Sequence, residues 1–399
     1  MENKNLFALK VQLLFSLVNR GFLNDIRLFK GFLKLELQQF VPRHLRKYVR
    51  LYDDAPSLFY YDKQNPENLR TISAPHMITI MLQNLLLEED DDLLILGAKS
   101  GYIAALAHEM APKGKIYILE ANSSIAKFTA KNIRKLNLED CIKVIVKNPL
   151  EGMPELKPWQ KILVTGAIRE RRIYPLLSQL DPNNGVLFAP IGGEMTQIYT
   201  RIARDGDNFT AHQQLQVRFT PLITQLEIDE LKLITDISIL ESEEDEAEVE
   251  RLSREMKIKY INNIEDQVNF RHVEVKEETK ITPERILKTL LECINDFIDK
   301  LREVKKTSQW SDGIEIFLIL TGLIRYSKKI FKINIDKIEN TINQLKDITN
   351  RRIEIERKIN GDPNLEQEKK NLIEKQQKTL NDLQGIVSKE LGVIVKKIK

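Results

Sequence analysis

The 399 residues exceed one ordinary domain, and 42% hydrophobic against 30% charged residues is a globular balance with material for a real core. A formal net charge of +3 is nearly neutral for this size, which argues against a nucleic-acid binder working by bulk charge and leaves only a local basic patch open. Cys141 and Cys293 lie far apart and match no metal-ligand spacing, so two packed or idle thiols in a reducing cytosol are expected.

Residues 1–39 read as an N-terminal helical segment. Its apolar residues are broken by Lys10, Gln12 and Arg20, without the basic start, continuous apolar centre and cleavage site of a signal peptide. Strand and helix signals then alternate. Leu93–Leu96 is a short apolar run ending in Gly97, followed by a helical stretch from Tyr102 to Met110. Lys115–Leu119 is the next run, ending in Glu120, with a helix expected over Ser124–Leu136. Further runs cover Ile142–Val146, Lys161–Val164 and Gly185–Ala189. Apolar runs of this length between helices imply parallel strands buried on both faces, an α/β doubly wound sheet.

Glu241–Glu250 (ESEEDEAEVE) cannot bury itself and is expected as a solvated linker or an exposed helix. The spacing therefore predicts four parts: the segment 1–39, an α/β domain over 40–228, an acidic linker region over 229–281, and a helical domain over 282–399. Thr282-Pro283-Glu284 is a helix start, with Thr as N-cap and Pro at the first helical position. Ile286, Leu287, Leu290, Leu291, Ile294, Phe297, Ile298 and Leu301 trace one face of that helix. The run from Ile316 to Ile324 is about half a membrane span and reads as a buried helix. No membrane association is expected, and the cytoplasm is the expected compartment. Ile335, Ile338, Ile342 and Leu345 form a second stripe; after Gly361-Asp362-Pro363-Asn364, Leu383, Val387, Ile394 and Ile398 form a third. Two long helices about a tight turn predict an antiparallel helical hairpin or coiled coil. An isolated pair has little core, so a partner is expected, either a second copy in a homodimer or the α/β domain.

The chemistry-bearing residues lie in the α/β part. Leu96-Gly97-Ala98-Lys99-Ser100-Gly101-Tyr102 is a Gly-rich strand-to-helix turn, where backbone can approach a cofactor and a helix start offers free N–H groups. Glu120 ends the next strand, where a carboxylate can accept both ribose hydroxyls of an adenosine. The bland alternatives are an ordinary βα turn and a solvated strand-end acid.

Thr71-Ile72-Ser73-Ala74-Pro75-His76-Met77 resembles the element that precedes the sheet in protein-L-isoaspartate O-methyltransferases. Val41-Pro42-Arg43-His44-Leu45 and Tyr52-Asp53-Asp54 upstream, with Val164-Thr165-Gly166-Ala167, Pro175–Leu180 and Ala189-Pro190-Ile191-Gly192 downstream, match that family in the same order. The likeness covers about residues 40–225. It implies a class I, Rossmann-like methyltransferase sheet, S-adenosylmethionine as cofactor, and isoaspartyl-containing proteins or peptides as substrate. It further implies that Gly97, Ala98, Ser100, Gly101, Glu120 and Asn148 hold the cofactor, Asn148 near the adenine amine. Ser73 orients the acceptor carboxylate, with His76 and Thr165 on the substrate side. Ser73 also suits a helix N-cap, and His76 and His108 suit packing roles.

Three departures from the family pattern stand out. Lys99 replaces a glycine of the loop, Lys147-Asn148-Pro149 replaces a Gly-Asp-Gly, and Asn68-Leu69-Arg70 replaces the Gly-Gln before the Thr-Ile-Ser element. These changes keep two further readings in play: a degenerate methyltransferase-fold scaffold acting through its C-terminal helices, and a methyltransferase of RNA or small molecules on the same fold.

Overall fold

The computed structural model describes residues 2–63, 69–193, 195–224, 227, 229, 243–262, 275–327 and 333–398. Two units separate by their internal contacts: Leu13–Thr279, and Met1–Gln12 together with Lys280–Lys399.

The α/β unit takes in the C-terminal part of helix α1 (Glu2–Asn19) and all of α2 (Ile26–Lys34). Asp25 starts α2 by accepting the Arg27 N–H, and Leu28, Phe29, Phe32 and Leu33 form its buried face. Ser57–Tyr61 (β1) and Leu69–Ile72 (β2) pair antiparallel outside the main sheet, and Pro75–Asn84 (α3) follows. Asn68, one of the three departures, lies outside the described residues, as does 64–67.

The expected parallel core is present. Leu93–Leu96 (β3), Ile116–Glu120 (β4), Ile142–Val146 (β5) and Lys161–Val164 (β6) join in parallel, and Val186–Gly192 (β7) extends the sheet beside β6. Every residue of β3 and β6 is buried, which is why the strands read as apolar runs, apart from Lys161 at the start of β6, which pairs with Asp91 at 3.5 Å. Tyr102–Met110 (α4) and Ser123–Lys135 (α5) connect β3, β4 and β5. Gly31 lets α2 lie close to α4: a Cβ there would sit 3.2 Å from Glu109 Cβ.

Three further strands were not expected. Gln197–Asp205 (β8) and Asn208–Val217 (β9) form an antiparallel hairpin beside β7, closed by a two-residue Gly206-Asp207 turn with Gly206 at φ 60. The short helix Tyr174–Leu177 (α6) precedes β7. Beyond the hairpin, Glu243–Glu255 (α7) buries Val249 and Leu252, and Ile258–Asn262 (β10) pairs in parallel with β9. Much of the segment expected as an acidic linker thus belongs to the α/β unit. Glu248, Glu250 and Glu255 are exposed on α7, where they pair with Arg251 and Arg254. The full order is β5-β4-β3-β6-β7-β8-β9-β10. The direction of winding reverses between β3 and β6, and the crevice outside the carboxyl ends at such a switch point is where doubly wound sheets hold ligands.

The second unit is all helix: Pro283–Glu303 (α8), Thr307–Ser327 (α9), Ile335–Lys358 (α10) and Pro363–Ile398 (α11). Thr282 caps α8 as expected, accepting the Arg285 N–H. Successive helices pack on one another and α11 returns to α8, so the four close into a bundle. This corrects the expectation that the hairpin stripes require an outside partner. Ile335, Ile338, Ile342, Leu345, Leu383, Val387 and Ile394 are all buried inside the unit. Ile398, the last residue of the third stripe, is half-exposed. A polar layer crosses the α10–α11 seam: Arg352 donates to Gln376 Oε1 at 2.9 Å, and Gln376 donates to Thr349 Oγ1 at 2.6 Å. No described helix is long and apolar enough to cross a membrane.

Candidate functional site

The site is built at the carboxyl ends of β3 and β4. After Leu96 the chain runs through Gly97 (φ 92), Ala98, Lys99 (φ 42), Ser100 (φ 63) and Gly101 (φ 85) into α4. Gly97 is required on two counts: its φ is left-handed, and a Cβ would lie 2.4 Å from Thr165 Oγ1. Thr165, just past β6, donates its hydroxyl to the carbonyls of Leu96 and Gly97, 2.9 and 3.0 Å away, tying the strand ends together. Ser100 turns the other way and donates to the Phe40 carbonyl at 2.5 Å.

Glu120 closes the loop from the β4 side. Its Oε2 accepts the Ala98 N–H at 2.9 Å and its Oε1 accepts the Asn122 N–H at 3.0 Å. Burial raises its pKa, and those two amide donors work against the rise. Lys99 is only 8% exposed and makes no hydrogen bond or ion pair among the described residues. Burial, seconded by the Arg70 charge and opposed by Glu120, lowers its pKa to about 8. Arg70, on β2, holds Glu227 Oε1 at 2.6 Å, and Glu227 Oε2 accepts the Thr224 N–H at 2.9 Å. Leu222 presses on the loop, its Cδ1 3.2 Å from where a Gly97 Cβ would stand. Together these groups leave a cavity of about 20 Å³.

Of the residues singled out in the sequence, Gly97, Ala98, Glu120 and Thr165 line this cavity, along with Lys99. Ser73, His76, Ser100, Gly101 and Asn148 are not among its lining. Ser73 Oγ is buried and has no hydrogen-bond partner. Its alternative as an N-cap is overturned: with Pro75 opening α3, the cap position falls on Ala74, which has no side-chain oxygen. His76 is the second residue of α3, and both its backbone N–H and its Nδ1 meet Asp54 Oδ1, at 3.0 and 2.7 Å. Burial alone would raise the Asp54 pKa, but the hydrogen bonds from His76 and Arg20 prevail and hold it at about 2. Asn148 spends its side chain on its own turn, accepting the Leu150 N–H and donating to Glu151. Sequence reading missed Leu222 and the Arg70–Glu227 pair as parts of the site. One signal was available: Gly166, at a strand end, leaves no room for a Cβ, which would lie 2.6 Å from Leu222 Cα.

Residues 8–227 match the family model described as Protein-L-isoaspartate(D-aspartate) O-methyltransferase (PCMT). The chain belongs to this family. A Thermosipho melanesiensis protein-L-isoaspartate O-methyltransferase is 33% identical over 193 residues, 48% of this chain and 90% of the relative. That of Roseiflexus castenholzii is 32% identical over 208 residues, 52% of this chain and 88% of the relative. Among solved structures, a Plasmodium falciparum chain in complex with S-adenosyl-L-homocysteine matches at TM-score 0.43 and 24% identity, over 53% of this chain and 97% of that one. The match to the PCMT family ends at residue 227, so the helical bundle lies beyond it.

Proposed function

We propose that the α/β unit transfers a methyl group from S-adenosylmethionine to the carboxylate of L-isoaspartyl residues in damaged proteins, and that it does so only when its cleft opens. The observation that carries this reading is the convergence of Gly97, Ala98, Glu120 and Thr165 at the switch point of a PCMT-family sheet. The chemistry asks little of the protein. An acceptor carboxylate is already ionised at neutral pH, so no general base is required, and alignment of the reactants is the main task. Ser73 supports the acceptor side: a buried hydroxyl without a partner costs about 1–3 kcal/mol until something fills it, and an acceptor carboxylate is a suitable partner.

Among the described residues, the space left before Gly97 does not enclose the whole cofactor. About 20 Å³ admits roughly one water, against ~300–1,000 Å³ for a site that encloses an organic ligand. The backbone cradle at Gly97 is present, but side chains fill the space before it. That observation favours a second reading, a non-catalytic family member whose function resides in its helical bundle. A pair of peptides separates the two. The first reading expects the full-length chain, given S-adenosylmethionine, to form a base-labile methyl ester on an L-isoaspartyl peptide and none on its aspartyl twin. Equal labelling of both peptides removes the substrate assignment, and no labelling of either supports the second reading.

A further inference from the structure

Three charged side chains of the chain itself, Arg70, Lys99 and Glu120, line the space at the switch point. Lys99 stands where the loop follows a glycine-like path, at φ 42, a conformation that side-chain-bearing residues seldom adopt. A lysine in a loop normally extends its stem to bring the ammonium into water. This one turns inward instead, 8% exposed, with Arg70 and Glu120 as the charges that act on it. Arg70 is in turn fixed by Glu227, and both side chains of that pair are largely buried, at 11% and 2% exposure. Leu222 lies against Gly97 on the same side.

We propose that Lys99 is a built-in occupant of the cofactor cleft: its side chain fills the space beside Gly97 and Glu120, and the Arg70–Glu227 pair holds the cleft shut around it. The inference rests on the reading of this cleft as the cofactor site, and it accounts for the disagreement between family and cavity. The occupant is one side chain on rotatable bonds, so vacating the cleft needs a change of rotamer and release of one ion pair, with the sheet unchanged. It also makes bulk the main obstacle and charge the lesser one. S-adenosylhomocysteine carries no sulfonium charge, so its affinity is free of any repulsion between Lys99 and the sulfonium.

The test is calorimetric titration of S-adenosylhomocysteine into the full-length chain and into Lys99→Gly, Lys99→Ala and Lys99→Met. The glycine variant suits the left-handed backbone, and the alanine variant stands in for it should that one fail to fold. Removal of the side chain is expected to tighten binding at least tenfold over wild type, while Lys99→Met, which keeps the bulk, stays within about threefold of wild type. A ligand-induced rise in melting temperature should follow the same order. Equal, tight binding by wild type and Lys99→Gly overturns the occupant and leaves the proposed function standing. Tight binding by Lys99→Met shows that bulk is not the obstacle and also overturns it. Absence of binding by every variant overturns both the occupant and the cofactor reading of the cleft.

Discussion

At the scale of single residues, Lys99 and Glu120 carry opposite liabilities. Lys99 is held near pKa 8 in the fold and returns to its usual 10.5 when unfolded. Between those values the unfolded chain binds more protons, so this group makes the fold more stable as pH rises through about 8 to 10.5. Lys99→Met should therefore be more stable than wild type at pH 7, by an upper bound on the order of 3 kcal/mol, with the gap closing toward pH 10.5. Urea melts of both chains across that range check it, and a gap that does not change with pH would remove the buried charge from the account. Glu120 is the acceptor for two buried amides, those of Ala98 and Asn122. Glu120→Ala leaves both unsatisfied and should cost about 2–4 kcal/mol of stability, with Glu120→Gln milder because one acceptor remains. A loss below about 0.5 kcal/mol in denaturant melts would show that water replaces the carboxylate. Sequence reading reached Gly97 and Glu120 because each sits next to its own strand. It missed the Arg70–Glu227 pair because those residues are 157 positions apart, and its N-cap alternative for Ser73 fails because Pro75 shifts the cap position to Ala74.

Among elements, the strands divide by what covers them. Leu93–Leu96 and Lys161–Val164 are buried along their whole length, so their identity was plain from composition. β8 mixes buried and half-exposed residues and β9 is mostly half-exposed, many of the residues polar, so both pass for loop unless the Gly206-Asp207 turn is recognised. β10 follows an acidic helix and announces itself only by pairing with β9. This placement bears on where the chain can be cut. Ending it near residue 230 removes β10 and uncovers the edge of β9, and an unpaired strand edge invites aggregation. Ending it at 279 keeps both elements. Light scattering and thermal melts should find the shorter chain aggregating and the longer one monomeric and cooperative; the reverse ranking would mean that β10 and α7 contribute nothing to the sheet. In the bundle, Gln376 bridges Arg352 and Thr349 in the polar layer of the α10–α11 seam. Gln376→Ala leaves the buried guanidinium short of one acceptor and should cost about 1–3 kcal/mol, read from denaturant midpoints. An unchanged midpoint would mean that water supplies the missing bond.

For the whole molecule, the PCMT family match and the bundle divide the chain into two parts with separate cores. The apolar stripes of α10 and α11 are used within the bundle, so the chain carries no obvious demand for a second copy through them. The account centres on one place: a sheet and Gly-rich turn arranged to hold a ligand, with that space filled by Lys99 and shut by Arg70 and Glu227. The most direct measurement is a crystal structure of Lys99→Gly grown with S-adenosyl-L-homocysteine. The account predicts ligand density between Gly97 and Glu120, with the Arg70–Glu227 pair parted to admit it. An empty cleft that keeps the shape and side-chain positions described above, under ligand concentrations that saturate the protein, would contradict it.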